Sequence, residues 1–310
     1  MKPGAPEVFE IQKRDAPVPR DGWVTVRVKA FGLNRSEMFT RQGHSPSVQF
    51  PRVLGIECVG EVLDAPQTRQ KTGQQVIALM GGMGREFDGG YAEIAQLPER
   101  CVFPVETSLD WTTLGALPEM FQTAWGILSR GLALSEGDQL LIRGGTSSVG
   151  LMALRLAKIA GATVTSTTRS DDKKPKLKAA GADEVIIDNG RLGTGEFDKV
   201  LDLVGTTSLQ DSMNACRAGG ITCMAGILGN AWTLENFLPM EHIPHCVRLT
   251  VYSGGPGDLD LGALQQFIKK IESGETSVDI DKVFALEEIA EAHARMENNQ
   301  AQGKLVVDLT

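Results

Sequence analysis

The spacing of apolar positions divides the chain into three regions. Before residue 118, short runs that read as strands are separated by clusters of Pro, Gly, Asn and Asp, the composition of turns. One short helix is predicted over 35–41, just after Asn34. The predicted strands cover 8–11, 23–30, 56–63, 75–79 and 91–95. We expect this region to form an irregular β domain, a partly open barrel.

From Gly137 onward predicted strands and helices alternate, after an apolar helical segment over 114–128 that leads into this region. The alternating segments cover 139–143, 151–160, 163–168, 173–180, 184–187, 199–203, 208–216, 220–224 and 248–252. Such alternation indicates a parallel, doubly wound sheet with helices on both faces. Gly205 and Gly226 follow two of the strand ends, and ligands of open parallel sheets bind beyond those ends.

The C-terminal region is predicted to form two helices and two strands. In chain order these cover 261–273 (helix), 283–284 (strand), 286–298 (helix) and 304–309 (strand). A final strand needs a sheet to join, and the N-terminal β domain is the obvious host. The expected domains are therefore 1–118 together with 259–310, and 119–258.

The segment 139–169 has the pattern of a dinucleotide-binding unit, namely strand, glycine-rich turn, helix and second strand. Gly144 and Gly145 allow a tight turn, and Ser147 and Ser148 can cap the helix, whose free amides and positive end attract phosphate. Ser147 stands where the common pattern has a glycine, so a connection that binds nothing is the alternative. The complete context at the expected lengths favours nucleotide binding.

Composition and charge restrict the partners. The 310 residues carry a formal net charge of −8, which disfavours a nucleic-acid or anionic-membrane partner. No apolar run reaches membrane-spanning length, and the N-terminus lacks a signal-peptide core. The 5 cysteines are scattered without a CxxC pair, as is typical of free thiols in a reducing compartment. We therefore expect a cytoplasmic protein.

Short motifs along nearly the whole chain resemble those of one family. In chain order they are Gly32-Leu-Asn34, Leu54-Gly-Ile-Glu-Cys-Val-Gly60, Asp88-Gly-Gly-Tyr-Ala92, Thr146-Ser-Ser-Val-Gly150, Gly161-Ala162, Gly181-Ala-Asp183 and Gly303-Lys304. Their order and spacing resemble the medium-chain dehydrogenase/reductase superfamily, and within it the zinc-free quinone oxidoreductase branch. The resemblance implies a GroES-like β-barrel domain, built from both termini, around a central Rossmann domain. It also implies a homodimer.

Two departures from the zinc-dependent members of that superfamily bear on the reaction. Asn34 stands where those enzymes place a cysteine ligand and Ile56 where they place a histidine, and the four-cysteine structural lobe is absent from the sequence. Neither side chain can replace thiolate or imidazole in a tetrahedral zinc site, so no metal is expected. The resemblance then implies NADPH-dependent reduction of a quinone or of the activated C=C bond of an α,β-unsaturated carbonyl. The alternative is an NADPH-binding redox sensor or structural protein without turnover.

The expected catalytic residues are Asn34 and Tyr252. Related quinone reductases often carry a tyrosine in the helix after Asn34, where this chain has Phe39. The Asn34 amide can bond the nicotinamide ribose or a substrate carbonyl, with a turn-forming asparagine as the alternative. Tyr252 ends the last predicted Rossmann strand and can approach the nicotinamide, with core packing as the alternative. Glu57 is the expected buried charge of the β domain, held in a structural ion pair.

Cofactor choice is predicted from the end of the second Rossmann strand. Arg169 stands where NAD-preferring domains carry Asp or Glu for the ribose 2′-hydroxyl, and its fork of donors suits a 2′-phosphate. Lys173 matches a lysine that relatives direct at the same phosphate. Asp171 and Asp172 favour the opposite interpretation, since they could bend back toward a ribose. NADPH is the expected cofactor, and the residues expected to contact it are Asn34, Thr123, Thr146, Ser147, Ser148, Val149, Thr168, Arg169, Lys173, Val204, Gly205, Ala225, Gly226, Ile227 and Ser253.

The N-terminal edge of the β domain is expected to be short. Relatives typically open with an apolar strand before the segment that matches 4–9, whereas this chain begins at Met1 inside that turn. We therefore expect no complete strand within residues 1–5, which would leave a sheet edge open to pairing.

Overall fold

The computed structural model describes residues 3–310 and separates into two compact units. The first, called here the β unit, comprises Met1–Met120 and Gly255–Thr310, so both ends of the chain contribute to it. The second, called the α/β unit, is Phe121–Gly254.

The β unit is built on one seven-stranded sheet. Its strands are β1 (Trp23–Gly32), β2 (Glu57–Asp64), β3 (Gln75–Leu79), β4 (Ile94–Pro98), β5 (Val102–Pro104), β12 (Ile280–Phe284) and β13 (Lys304–Asp308). The long strand β1 pairs with β2, with β4 near its start and with the C-terminal strand β13 near its end. The prediction that the last strand joins the N-terminal domain is therefore confirmed.

Short helices complete the β unit. They are α1 (Arg35–Gln42), α2 (Trp111–Gly115), α8 (Leu261–Glu272) and α9 (Ile289–Glu297), with single 3₁₀ turns at Pro6–Val8, Glu99–Cys101, Pro256–Asp258 and Leu286–Glu288. Apolar side chains of β1, β13 and α9 share one core, which includes Phe31, Val307 and Ala292. Along residues 3–310, no helix is both long enough and apolar enough to cross a bilayer.

The α/β unit contains a six-stranded sheet in the order β11–β10–β9–β6–β7–β8, with every neighbouring pair parallel. The strands are β6 (Gln139–Arg143), β7 (Thr163–Thr168), β8 (Glu184–Ile187), β9 (Phe197–Asp202), β10 (Cys216–Met224) and β11 (Arg248–Val251). The helices are α3 (Pro118–Gly126), which begins just before this unit, α4 (Ser148–Ile159), α5 (Lys174–Ala179), α6 (Leu209–Ala215) and α7 (Pro239–His242). The strand order reverses between β6 and β9, which is where such sheets bind ligands. The predicted parallel, doubly wound Rossmann sheet is confirmed.

One predicted strand and one predicted helix are wrong. In place of a strand over 8–11, Pro6–Val8 form a 3₁₀ turn and the chain continues without regular structure. Phe9 packs its ring against Tyr91 and His293, so its apolar side chain is buried without joining a sheet. The helix predicted over 114–128 is divided into α2, α3 and a π-helical turn, Ile127–Gly131, because Pro118 cannot continue α2 and instead begins α3.

The N-terminal edge agrees with the expectation as far as it is described. Residues 3–5 form bends, and no strand occurs among them. Residues 1 and 2 lie outside the described residues.

Strands β1 and β2 approach so closely at Gly60 that a side chain there would collide with the neighbouring backbone. A Cβ atom on Gly60 would lie 2.0 Å from the carbonyl oxygen of Arg27. We predict that Gly60→Ala lowers the free energy of unfolding by about 1–3 kcal/mol, the usual cost of overpacking. Urea unfolding followed by tryptophan fluorescence measures the change.

Gly257→Ala is the matched control, because a Cβ at that position would have no heavy atom within 4 Å. It should change the free energy of unfolding by less than about 0.5 kcal/mol. Equal stability of the two variants would contradict the predicted clash.

Candidate functional site

The turn between β6 and α4 is shaped to hold an anion. Ser147 caps α4: its hydroxyl accepts the Gly150 N–H at 3.1 Å and donates to the Gly144 carbonyl at 2.8 Å. Gly144 has a φ of +86°, which favours glycine, and a Cβ on Gly150 would lie 2.6 Å from the Gly144 carbonyl oxygen. Thr146, Ser147, Ser148 and Val149 of the turn are partly exposed. The first amides of a helix lack partners within it, so this turn fits the pyrophosphate of a dinucleotide.

The end of β7 carries the residues expected to select the cofactor. Thr168 is buried and its hydroxyl bonds to the backbone of Ser170. Arg169 is exposed, and Lys173 is partly exposed at the end of a 3₁₀ turn, Asp171–Lys173. The backbone thus presents both cations just beyond the carboxyl end of one strand.

The two carboxylates that compete with this interpretation have partners in the same segment. Asp171 forms an ion pair with Lys174 at 2.8 Å, and Asp172 accepts a hydrogen bond from the Ser170 hydroxyl. Each carboxylate is therefore already bound locally, as expected at the start of a helix.

The other predicted cofactor residues of the α/β unit also lie near strand ends, with one exception. Val204 and Gly205 follow β9, Ala225, Gly226 and Ile227 follow β10, Ser253 follows β11, and Thr123 lies within α3. A Cβ on Gly226 would lie 2.4 Å from the Leu203 carbonyl oxygen, so the chain passes here only as glycine. Apart from Thr123, the fold brings these residues to the carboxyl edge of the sheet.

Tyr252 follows β11 and packs against α3. Its hydroxyl accepts a hydrogen bond from Gln122 Nε2 at 2.9 Å. A Cβ on Gly126 would lie 1.9 Å from the same hydroxyl, so the tyrosine needs the space that this glycine leaves. These contacts agree with the packing interpretation, and contact with a nicotinamide or a substrate stays a prediction.

A buried arginine that sequence reasoning missed lies immediately before the glycine turn. Arg143, the last residue of β6, is 2% exposed. Its Nε and Nη2 donate to the two carboxylate oxygens of Asp188 at 2.7 and 2.8 Å, and its Nη1 donates to Asp211 at 2.8 Å. Burial acts to lower the pKa of Arg143, but the bonds and charges of the surrounding carboxylates outweigh it and raise the pKa. A charge at the end of an otherwise apolar strand was the only signal in the sequence.

Asp202, the last residue of β9, fixes the next turn at the same edge of the sheet. Its Oδ1 accepts the N–H groups of Val204 and Gly205, each at 2.8 Å. Its Oδ2 accepts the hydroxyls of Ser208 and Ser212 at 2.7 and 2.5 Å. All four bonds are local, so the turn that carries two predicted cofactor residues has a defined backbone.

In the β unit, Asn34 belongs to a buried polar cluster. It precedes α1, but its side chain does not cap that helix. The Asn34 Nδ2 donates to Glu57 at 2.9 Å and to Glu37 at 3.3 Å, and its Oδ1 accepts from Lys304 Nζ at 2.6 Å. Lys304 is also 2.7 Å from Glu57, and both side chains are fully buried. Glu57 therefore lies in a buried ion pair, as expected, and the partner that the sequence did not reveal is Lys304.

The charges of this cluster are set by burial. Burial, followed by the negative charge of Glu57, raises the pKa of Glu37 to about 8, against a partial opposing effect of the Ile56 N–H bond. Burial alone would lower the pKa of Lys304, but the carboxylates of Glu57 and Glu119 outweigh it and raise the pKa. Near neutral pH the cluster thus holds a charged Lys304, paired with Glu57, and a mostly protonated Glu37.

Asn34 and Ile56 stand where zinc-dependent relatives are expected to carry metal ligands, and both residues take part in this buried cluster. The Asn34 amide is bonded as described, and Ile56 is 7% exposed and donates its N–H to Glu37 at 3.0 Å. Within the described part of the chain, no group of three or more His, Cys, Asp or Glu side chains is arranged to hold a metal. The oxygen donors at this position are the Asn34 amide and the carboxyls of Glu37 and Glu57, which are hydrogen-bonded to protein groups except at Glu37 Oε2.

Two family models match the chain. One, described as "Zinc-binding dehydrogenase", matches residues 180–307, and the other, described as "Alcohol dehydrogenase GroES-like domain", matches residues 20–107. The second match confirms that the predicted β domain is GroES-like.

Individual relatives align over most of their length. The chain is 27% identical to a quinone oxidoreductase of Pseudomonas aeruginosa, with 98% of this chain and 96% of the relative covered. It is 28% identical to an acryloyl-coenzyme A reductase of Metallosphaera sedula, over 70% of this chain and 73% of the relative. The crystal structure of an NAD-dependent alcohol dehydrogenase, 27% identical, superposes with a TM-score of 0.86 over 99% of this chain and 98% of that chain. The two family models, the parallel sheet with its glycine turn and the similarity to these relatives all support the same assignment. The chain belongs to the medium-chain dehydrogenase/reductase superfamily of NAD(P)-dependent oxidoreductases.

Proposed function

We propose that this protein uses NADPH to reduce quinones or the activated C=C bonds of α,β-unsaturated carbonyls, without zinc. The observation that carries the proposal is the Asn34 cluster, which fills the zinc-ligand position with an amide, an ion pair and a protonated carboxyl. Zinc would be needed to polarise an alcohol oxygen, whereas quinones and enones are electrophilic without a metal. The similarity to a quinone oxidoreductase and to an acryloyl-coenzyme A reductase supports the same substrate class.

The residues of the α/β unit would hold the cofactor. The first amides of α4 and the Ser147 cap would bind its pyrophosphate, and Arg169 with Lys173 would bind a 2′-phosphate. The turn at Val204 and Gly205, fixed by Asp202, would position the nicotinamide half. When bound, NADPH supplies the hydride, and a proton from solvent completes the reduced product.

The contacts of Asn34 narrow its proposed role. Lys304 can only donate and Glu57 can only accept, so the Asn34 oxygen faces the lysine and its NH₂ group faces the carboxylate. Both amide hydrogens are used, toward Glu57 and Glu37, while the oxygen retains a second lone pair. Asn34 is therefore suited to accept a bond from a ribose hydroxyl, and less suited to donate to a substrate carbonyl.

A cofactor-binding sensor without turnover is the second candidate. It is favoured by Phe39 at the position where related reductases carry a tyrosine, and by the fact that Asn34 has no spare hydrogen to donate.

The homodimer and the cytoplasmic location also stay predictions.

We predict NADPH oxidation, measured at 340 nm, with a panel of quinones and enones, and no loss of rate after treatment with a chelator. The substrates are electrophilic by themselves and the cluster offers no thiolate or imidazole ligand, so the rate should not depend on zinc. Saturated alcohols with NADP⁺ serve as the control panel and should give no turnover.

Binding of NADPH without oxidation by any member of the panel would support the sensor instead. Alcohol oxidation that a chelator abolishes would contradict the zinc-free proposal, whatever the quinones do.

The protonated Glu37 generates a prediction about stability and pH. Its folded pKa of about 8 exceeds the ordinary value of 4.5, so the folded protein holds a proton that the unfolded chain releases between these pH values. Stability from this group is therefore complete below the ordinary pKa and is lost as pH rises toward the folded one, by up to about 1.4 kcal/mol per pH unit. Glu37→Gln, which is neutral at every pH, should be more stable than the wild type at pH near 8 and similar at pH near 4.5.

Urea unfolding of both proteins across this pH range measures the difference. Glu93→Gln, at an exposed position of the β unit, is the control and should follow the wild-type curve. A difference between wild type and Glu37→Gln that does not grow with pH would show that Glu37 is ionised in the folded protein.

Arg169 generates a prediction about cofactor choice. Hydrogen bonds to charged groups contribute roughly 1.5–3 kcal/mol, so Arg169→Ala should weaken NADPH binding by about ten- to a hundredfold. NADH binding should hardly change, because NADH lacks the 2′-phosphate. Titration of the reduced-nicotinamide fluorescence gives both dissociation constants.

Arg248→Ala, at an exposed position at the start of β11, is the matched control and should leave both affinities unchanged. Equal losses for the two cofactors in Arg169→Ala would show that the arginine reads no phosphate.

A further inference from the structure

The guanidinium of Arg143 has two carboxylate partners, and one of them lies beside the proposed phosphate site. The partners are Asp211, in α6, and Asp188, just after β8. The bond to Asp188 is the more specific of the two, because it uses two donors of the arginine and both carboxylate oxygens. The side chains of Arg143 and Asp188 are 3% and 11% exposed, so water contributes little to screening the pair.

Asp188 is adjacent to the end of β7. Strands β7 and β8 are in register at Thr168 and Ile187, and the Asp188 N–H donates to the Thr168 carbonyl at 2.7 Å. Arg169 is the next residue along β7. Burial acts to raise the pKa of Asp188, but the bonds from Arg143 and the Gly190 N–H, with the charges of Arg143 and Arg169, lower it overall. Asp188 is therefore a carboxylate at neutral pH, close enough to Arg169 for their charges to interact.

A free carboxylate at this place would favour the other cofactor. A phosphate monoester carries a charge of about −1.5 to −2 at neutral pH, and a carboxylate nearby repels it. Carboxylates at the corresponding edge of NAD-binding sheets accept bonds from the ribose 2′-hydroxyl. Asp188 would therefore oppose binding of a 2′-phosphate unless its charge is balanced and its oxygens are occupied. Arg143 balances the charge and donates a hydrogen bond to each oxygen.

We propose that Arg143 is a specificity-determining positioning residue, which neutralises Asp188 and so allows Arg169 to bind a 2′-phosphate. This inference rests on the proposed preference for NADPH. Asp202, the other buried carboxylate at this edge, does not require Arg143 for its bonds, since two backbone N–H groups and two hydroxyls satisfy it. Arg143 Nη1 also donates to the Ser208 carbonyl at 3.1 Å and to the Ser212 hydroxyl at 3.2 Å, and its carboxylate partners are Asp188 and Asp211.

If Arg143 had a purely structural role, a different effect on the two cofactor affinities would be expected. If Arg143 only joined β6 to α6 and to the turn after β8, its loss would disturb the glycine turn next to it. The pyrophosphate of either cofactor would bind there, so NADPH and NADH would lose affinity equally. The ratio of the two dissociation constants therefore distinguishes the roles, and overall activity does not.

The experiment measures the dissociation constants of NADPH and NADH for the wild type, Arg143→Gln, Asp188→Asn and the double variant. In Arg143→Gln, NADPH binding should weaken about tenfold relative to NADH binding, equivalent to about 1.4 kcal/mol. Adding Asp188→Asn should restore the wild-type ratio, because the repelling charge is gone. Asp188→Asn alone should keep the wild-type ratio or shift it further toward NADPH, since it removes a negative charge while Arg143 stays paired with Asp211.

Loss of a buried charged side chain can prevent folding, so a second substitution of Arg143 is tested as well. Arg143→Lys keeps the charge but cannot occupy both oxygens of Asp188, and it should shift the ratio in the same direction by a smaller factor, again restored by Asp188→Asn. Arg41→Gln is the control for lost stability: Arg41 is fully buried and paired with Glu297 in the β unit, and its variant should leave the ratio unchanged.

The outcomes separate this inference from the proposal beneath it. A wild type that binds NADPH and NADH equally overturns the cofactor proposal itself. A wild type that prefers NADPH, with both affinities falling equally in the Arg143 variants or with no recovery in the double variants, overturns only the role of Arg143. A ratio that falls and then recovers with Asp188→Asn establishes the role.

Discussion

The β unit depends on the burial of one ammonium group. Lys304 lies at the start of the C-terminal strand β13 with its side chain fully buried, and a buried cation is tolerated only when it is paired and hydrogen-bonded. Its partners are Glu57 at the start of β2, Asn34 before α1 and, at 3.7 Å, Glu119 in α3. Four segments that are far apart in the sequence therefore meet at one charge. Gly32, at the end of β1, leaves room for these side chains, because a Cβ there would lie 2.4 Å from both Lys304 Cε and Glu57 Oε1. The joining of the two chain ends into one sheet is thus tied to the pairing of this lysine.

Four buried ionisable side chains of the described residues are accommodated in three physically different ways. Lys304 and Arg143 keep their charge beside carboxylates. Asp202 is instead satisfied by hydrogen bonds from two backbone N–H groups and two hydroxyls. Glu37 instead gives up its charge, since burial next to the negative Glu57 favours the protonated form. The folded pKa of Glu37, about 8, therefore lies in the range of ordinary assay buffers.

The sequence predicted best where apolar runs are continuous and glycine marks their ends. The bounds of β6 and β7 were predicted to the residue, because parallel strands are buried on both faces and consist mostly of apolar or β-branched residues. The prediction at Phe9 was wrong because an apolar side chain can be buried by tertiary packing, here against Tyr91 and His293, without belonging to a strand. Glu57 was expected to be buried and paired, but its partner was not identifiable, since nothing local in the sequence indicates that Lys304 returns to it. Arg143 was missed for the same reason: its significance comes from Asp188 and Asp211, which lie on other elements.

The chemistry at the Asn34 position limits what the β unit can contribute to a reaction. A zinc ion requires deprotonated ligands with free lone pairs. Here Glu57 is committed to Lys304, Glu37 favours its proton, and the Asn34 oxygen already accepts from the lysine. Such a cluster can orient a hydroxyl or keep a local charge balance, but it cannot supply the strong polarisation by which a metal activates an alcohol. The proposed function therefore assigns the activation to the substrate itself, since the acceptor carbon of a quinone or an enone is electrophilic before it binds. In the proposed function, the selectivity for one nicotinamide cofactor would be decided elsewhere, at the end of β7, where the balance of charge between Arg169, Asp188 and Arg143 would determine whether a phosphate or a hydroxyl is the preferred neighbour.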